Sequence, residues 1–306
     1  MRLLLLALAL HVPPGYVATT YASGLEHPTA MSFGPGGRLY VSEDGGAVVS
    51  VRRGDTRPRA FRRGLTVPLG LLWRGRTLYV SESGKVEAFG LRGGRRVVVS
   101  RLPYRRHQQD SLVAGPDGRL YLGSGSTCDA CVERDPRSAA ILSFRPDGSD
   151  LRIVATGLRN PYGLVFAHGA LYATVNGRDD LGTDEPAELV VHVRQGADFG
   201  WPACWPSYAL RTLVGACKGV SAPVAWLEPH SSADGIVSWR GDLFVGEWGE
   251  YLSKKHGRRV VRIRRGRVTT FATGFAHPLA LTVAPSGDLL VADWERGVIY
   301  AIARRP

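Results

Sequence analysis

The sequence predicts an all-β chain folded as a six-bladed β-propeller whose last blade is closed by the N-terminal strand. Three observations predict it. A turn-and-strand unit recurs six times, a strand of period two flanks every copy on each side, and no stretch longer than about ten residues carries a helical period.

The unit reads PGGRLYVSE at 35–43, RGRTLYVSE at 74–82, PDGRLYLGS at 116–124, HGALYATVN at 168–176, RGDLFVGEW at 240–248 and PSGDLLVAD at 285–293. Aligned on Leu39, Leu78, Leu120, Leu171, Leu243 and Leu289, the copies step by 39, 42, 51, 72 and 46 residues, which is blade-sized with two loop insertions. Before each turn lies an apolar strand (AMSF, GLLW, SLVA, GLVF, GIVSW, ALTV), and after it another (AVVSV, KVEAF, AAILSF, ELVVHV, RVVRI, GVIYAI). A shorter echo, G-[LF]-x-x-P, opens four units at Gly24, Gly64, Gly157 and Gly274. The last unit stops after its third strand, at Ile302, and a spare strand, Tyr16–Ala22, precedes the first. Pairing the two seals the ring and removes an exposed edge, which a β-sandwich would not explain.

Composition narrows the function classes. A chain of 306 residues with 44% hydrophobic content excludes disorder and a disulfide-only miniprotein. Residues 11–306 are expected to form one propeller domain after a signal-like segment at 1–10, where Met1-Arg2 is followed by LLLLALAL. The longest apolar run, Leu3–Leu10, is too short to span a bilayer, so no membrane span is expected. A periplasmic or secreted protein would place its four cysteines in an oxidising compartment. They form two local pairs, Cys128/Cys131 and Cys204/Cys217, whose separation suits zinc poorly, and two short-loop disulfides are expected. The net charge of +12 rests on 39 basic residues, only four of them lysines. The arginines cluster at 52–63 and 92–106, on third and fourth strands at the outer rim, without interleaved aromatics. A nucleic-acid partner is therefore not expected.

The repeat also says which residues face one another. In a propeller the first strand of each blade lines the central channel, and the loops entering those strands gather on one face. Counting back 11–13 residues from each reference leucine reaches His27, Thr66, His107, Arg159-Asn160, His230 and His277, so four of the eight histidines share one offset. Loops leaving the second strands join them: Glu43-Asp44, Glu82, Arg178-Asp179-Asp180, Glu247 to Lys255, and Asp293-Trp294. A polar crown over an apolar ring is a candidate active site. Duller readings stay open beside it. His27-Pro28 and His277-Pro278 suit turn caps, Arg159-Asn160-Pro161 suits a buried turn, and Asp179, Asp180, Asp184 and Glu188 suit either a hard-cation site or a solvated loop.

At these residues the sequence resembles the soluble quinoprotein glucose/sorbosone dehydrogenase family, six-bladed propellers that use pyrroloquinoline quinone (PQQ) and calcium. The resemblance runs through nearly the whole chain. It is densest from His107 to Cys204, where H-x4-L-x3-PDGRLYLGSGSTCDAC, RSAAILSFRPDGS, GLRNPYGLVF and NGRDDLGTDEPAELVVHVRQGADFGWPAC follow the family's order. It implies a sugar dehydrogenase passing electrons to a soluble acceptor, with His107 as catalytic base and Arg159 stabilising the quinone oxyanion. Arg159 and Asn160 match cofactor contacts, and Lys254 or Lys255, Arg178 and His277 are further candidates. The segment with Asp179, Asp180, Gly182, Asp184 and Glu188 matches the loop that places calcium against PQQ, largely through backbone carbonyls. Many relatives have an arginine where this chain has His277, and Glu-Leu-Asn where it has Glu188-Leu189-Val190. A non-catalytic carbohydrate- or protein-binding propeller, and a metal-dependent lactonase using Glu43 and Asn176, are the competing functional readings.

Overall fold

A computed structural model describes residues 10–250 and 255–305. Residues 1–9 of the signal-like segment, and Lys254, lie outside the described residues. The strands form six blades around one axis. The first strands of the blades, which line the channel, are Pro28–Phe33, Gly70–Arg74, Gln109–Ala114, Leu164–Ala167, Ala233–Trp239 and Pro278–Val283. Each is followed by an antiparallel meander, as in blade one, where Leu39–Glu43, Ala47–Val51 and Arg59–Arg62 continue outward.

The spare strand Tyr16–Ala22 pairs antiparallel with Val298–Arg304, from Tyr16 opposite Arg304 to Thr20 opposite Tyr300. It becomes the fourth strand of blade six, so the two ends of the chain share one sheet and close the ring. The 72-residue step is explained by an insertion in blade four. There a hairpin, Cys204–Ser207 with Thr212–Gly215, precedes the fourth strand, Ala225–Leu227, and a short parallel strand, Ala197–Asp198, is added to the edge of blade three. Both expected disulfides form, Cys128–Cys131 and Cys204–Cys217. Among the described residues the helical content is one short turn, Pro35–Gly37, and no helix is long and apolar enough to cross a membrane.

The second strands carry LYVSE-type sequences that are buried along their length, because each blade is covered on both faces by its neighbours. The core accordingly lies between blades rather than within one. Leu39, Val41, Val49 and Val51 of blade one pack with Leu290, Ala292, Ile299 and Ala301 of blade six. The arginines of Arg59–Arg62 and Gly93–Val99 sit on outer strands with mostly exposed residues.

Near the axis the blades approach so closely that side chains are excluded. A Cβ on Gly163 would stand 2.2 Å from the carbonyl oxygen of Asp234 in blade five, and one on Gly235 would stand 2.2 Å from that of Leu279 in blade six. Gly70 meets the Asp110 carbonyl of blade three in the same way, at 2.4 Å. Substituting Gly163→Ala should therefore destabilise the protein by about 1–3 kcal/mol, the usual cost of overpacking. Gly45→Ala, with nothing within 4 Å of the added carbon, should leave the denaturant midpoint nearly unchanged. Paired urea melts test both.

Candidate functional site

The inner loops and the ends of the second strands enclose a cavity of about 930 Å³ at the channel mouth. Of the six sites reached by the histidine offset, His107, Arg159, Asn160 and His230 line it, together with Asp44, Asp179 and Trp294 from the second-strand loops.

His107 is half-buried, and its hydrogen bonds fix its tautomer. Its Nδ1 lies 3.0 Å from Ser126 Oγ, and that hydroxyl donates its own proton to the Cys128 carbonyl at 2.6 Å. Nδ1 must then carry the proton and donate it to Ser126, which leaves Nε2 as the bare nitrogen of a ring that lines the cavity. Burial, and then the charges of Arg159 and Arg106, push the His107 pKa down to about 3. Gly125 is required beside it, because a Cβ there would fall 2.3 Å from His107 Cβ and 2.7 Å from Asn160 Oδ1.

Arg159 is 4% exposed and already has anionic partners. Its Nη2 donates to Asp129 Oδ1 at 2.7 Å and to Asp179 Oδ2 at 2.6 Å, while Nε donates to Asp129 Oδ1 at 3.1 Å. Arg106 donates to the same Asp179 oxygen at 2.5 Å. Asp129 in turn accepts the backbone N–H of Asp179, and its carbonyl accepts Trp201 Nε1 at 3.1 Å. It sits between the bonded cysteines of CDAC, so a four-residue disulfide loop anchors both the tautomer of His107 and the guanidinium of Arg159. Sequence reasoning missed Asp129, seen only as disulfide spacing, and Arg106, assigned to the rim. The signal for Arg106 was its place directly before His107 in an inner loop.

His230 faces acceptors from both nitrogens. Nε2 lies 2.7 Å from the Gly182 carbonyl and 2.9 Å from that of Glu185, and Nδ1 lies 3.6 Å from Asp179 Oδ1. Nε2 must donate to these carbonyls, and the Asp179 carboxylate facing Nδ1 favours a second proton there, as in an imidazolium. Asp179 outweighs burial and raises its pKa to about 9. Asp179 itself is pushed up by burial, but His230, Arg159 and Arg106 hold it well below the usual carboxylate range.

The acidic residues of the expected metal set are placed in separate ion pairs. Asp179 is taken by Arg159, Arg106 and His230, Asp180 by Arg178 at 2.5 Å, and Asp184 by Lys255. Glu188 is 3% exposed, accepts the Gly177 N–H at 2.7 Å, and is pushed up to about 8 by burial. The side chains of Asp179, Asp180, Asp184 and Glu188 therefore do not converge on a shared ion, and the Gly182 carbonyl points at an imidazolium. Three of the expected cofactor contacts also stand elsewhere. Lys255 is on the exposed pair with Asp184. Arg178 donates to Asp180 and to the Pro202 carbonyl, away from the main cavity. His277 is stacked behind Trp248 with ring centres 3.7 Å apart. Its Nε2 accepts from Arg258, so Nδ1 donates to the Trp248 carbonyl and the ring is neutral. The indole of Trp248, not His277, reaches the cavity wall, with Trp294 beside it at 5.7 Å.

The lactonase set is not assembled either. Glu43 is buried and accepts the Glu26 N–H at 2.8 Å, as Asp293 does for Ala276, and neither lines the cavity. These carboxylates brace the loops that enter the blades.

No protein-family model matches the chain, and no curated protein matches it in sequence. Solved structures do share its architecture. The holo form of the PQQ domain of a pyranose dehydrogenase from Coprinopsis cinerea superposes with a TM-score of 0.86 at 17% identity, over 97% of this chain and 98% of that one. A calcium structure of a Trichoderma reesei carbohydrate-active enzyme gives 0.81 at 17% identity, over 97% and 98%. The PQQ-bound form of an aldose sugar dehydrogenase from Streptomyces coelicolor gives 0.76 at 19% identity, over 96% and 100%. At these identities the likeness establishes the six-bladed propeller.

The two histidines should shape stability against pH in opposite directions. His230 has a folded pKa raised from 6.5 to about 9, so its contribution is complete below 6.5 and is lost as pH rises to about 9. His107 has a folded pKa lowered from 6.5 to about 3, so stability is lost as pH falls from 6.5 towards 3. Denaturant midpoints across this range should fall on both sides for the wild type. His230→Asn should flatten the alkaline side alone.

Proposed function

We propose that the protein is a PQQ-dependent dehydrogenase of aldoses or related hydroxy-aldehydes. One observation carries the reading. The bare Nε2 of His107 belongs to a cavity-lining ring flanked by Arg106 and Arg159, with the imidazolium of His230 close by. Those three cations against the carboxylates of Asp129 and Asp179 leave this cluster with one net positive charge, which suits a carboxylate of a ligand beside it. The volume, about 930 Å³, lies near the top of the range for small-molecule sites and has room for a planar cofactor with a sugar above it. Trp248, stacked on His277, and Trp294, stacked on His27, give the wall an aromatic character.

When bound, PQQ supplies a quinone carbon that accepts hydride. Arg106 and Arg159 would hold its carboxylates or stabilise the oxyanion, and Asn160, whose Oδ1 is buried without a partner, would orient it. His107 Nε2 would accept the hydroxyl proton of the substrate carbon that gives up hydride. The substrate would leave as the carbonyl product, its hydroxyl proton held at His107 Nε2. Burial, more than the two arginines, makes His107 a weak base in the free site, and an anionic ligand beside the arginines would offset their share of that depression. The 179–188 loop does not fit calcium as it stands, because its acceptors are engaged by His230, Arg178 and Lys255. No step is assigned to calcium there. The resemblance from His107 to Cys204 and the propeller neighbours support the reading, and the two disulfides with the signal-like start support export.

Purified protein should bind PQQ with a saturable absorbance change and reduce a dye when aldoses are added. His107→Ala should keep PQQ binding and lower kcat by about 10²–10⁴, the usual weight of a general base. Arg106→Ala should weaken PQQ by about tenfold or more, consistent with a charge-assisted bond. An unchanged PQQ spectrum, with no aldose turnover, would leave the non-catalytic binding propeller as the better reading.

A further inference from the structure

The cavity floor carries two carboxylates that the proposed reaction does not use. Asp110 and Asp234 fill the same register position on the channel strands of blades three and five. The other four blades place Thr29, Leu69, Tyr162 and Leu279 there, and all six residues line the channel. Asp110 is 1% and Asp234 is 4% exposed.

Among the described residues, no lysine, arginine or histidine makes an ion pair with either. Asp234 accepts Asn176 Nδ2 at 2.9 Å and Ser232 Oγ at 3.3 Å. Asp110 Oδ2 has no partner, and neither has the side-chain oxygen of Asn176, a residue 91% buried that lines the same cavity. Because Asn176 Nδ2 donates to Asp234, its Oδ1 is left as an oriented acceptor. Blade four lies between blades three and five, so Asn176 stands between the two carboxylate-bearing blades. Buried acceptors are nearly always satisfied, and a group of them with no donor asks for a ligand that brings positive charge.

We propose that Asp110, Asp234 and Asn176 Oδ1 bind a hard divalent cation of the calcium class at the floor of the channel. All three ligands are oxygens, two of them carboxylate, as such ions require. The ion would cancel both negative charges and so remove the repulsion that the floor exerts on an anionic ligand above it. A proton is its competitor. Burial raises Asp234 to about 7, and burial with the neighbouring charge of Asp234 raises Asp110 well above its ordinary value. The proposal needs no quinone and does not depend on the dehydrogenase reading.

Chelator-treated protein without PQQ is titrated with terbium at pH 7.5. Emission is excited through protein aromatics, Tyr162 of the same layer among them, and displaced with calcium. One saturable site is expected, weakened at least tenfold in Asp110→Asn and in Asp234→Asn and unchanged in Asp184→Asn, which alters the exposed loop pair. Melting provides a second readout. With chelator present, the two floor variants should melt at or above the wild-type temperature, because an unpaired buried carboxylate has been removed. Calcium should raise the melting temperature of the wild type and not theirs. Terbium binding that survives both floor substitutions, binding lost only in Asp184→Asn, or no binding of either ion to the wild type would overturn the proposal.

Discussion

Six strands meeting around one axis leave no room for side chains where neighbouring blades touch, and the rest of the molecule follows from that crowding. At Gly70, Gly163 and Gly235 the next blade's carbonyl occupies the space a Cβ would need. Those contacts fix the register of each channel strand, because a slip of one residue would drive a side chain into a backbone. With register fixed, the preceding residue of each strand must project into the channel, and the loops before it must open on one face. The floor layer of Thr29, Leu69, Asp110, Tyr162, Asp234 and Leu279, and the ring containing His107, Arg159 and His230, are thus consequences of packing at the axis. The pairing of Tyr16–Ala22 with Val298–Arg304 keeps that packing closed.

Above the floor, charge is arranged before any ligand arrives. Arg106 and Arg159 share Asp179, and Asp129 holds Arg159 from within a disulfide loop. Long basic side chains would otherwise lose rotamer freedom on binding. Here the carboxylates have already ordered them, and the protein offers a rigid positive surface next to a neutral imidazole. The same positive surface keeps that imidazole unprotonated, since burial and both guanidinium charges oppose a further cation. The base and the anion site are therefore coupled through the two guanidinium charges.

The architecture was legible because a propeller repeats its grammar. The aligned leucines, the spare first strand and the local cysteine pairs each survive as observed features. Within the site, His107, Arg159 and Asn160 were legible from the offset shared by the inner loops. What the sequence hid were partners drawn from different blades. Asp129 meets Arg159 from 30 positions away and Arg106 meets Asp179 from 73, and no local pattern marks such pairs. The acidic composition of the loop 179–188 suits a cation site or a solvated loop alike, and its sequence does not show what faces it. Its neutralising groups, Arg159, His230 and Lys255, come from blades four and five. His277 shared the histidine offset, yet stacking on Trp248 turned it into support for the wall rather than a contact. Asp110 and Asp234 become visible only when the channel strands, rather than the second strands, are aligned.

His230 shows why the two ends of the cavity divide their electrostatics. The carbonyls of Gly182 and Glu185 and the carboxylate of Asp179 converge on its ring much as oxygen ligands converge on an ion. An imidazolium with a pKa near 9 holds its charge through neutral pH, and supplies it without a metal. It satisfies those oxygens with directed N–H groups, and it delivers one positive charge where an ion would deliver two. The remaining demand for positive charge then lies at the floor, where, among the described residues, Asp110 and Asp234 have no basic side chain in contact. A mouth whose charge is built from side chains can keep its geometry whatever the ionic conditions. A floor whose charge is balanced by a bound ion or by protons responds to both.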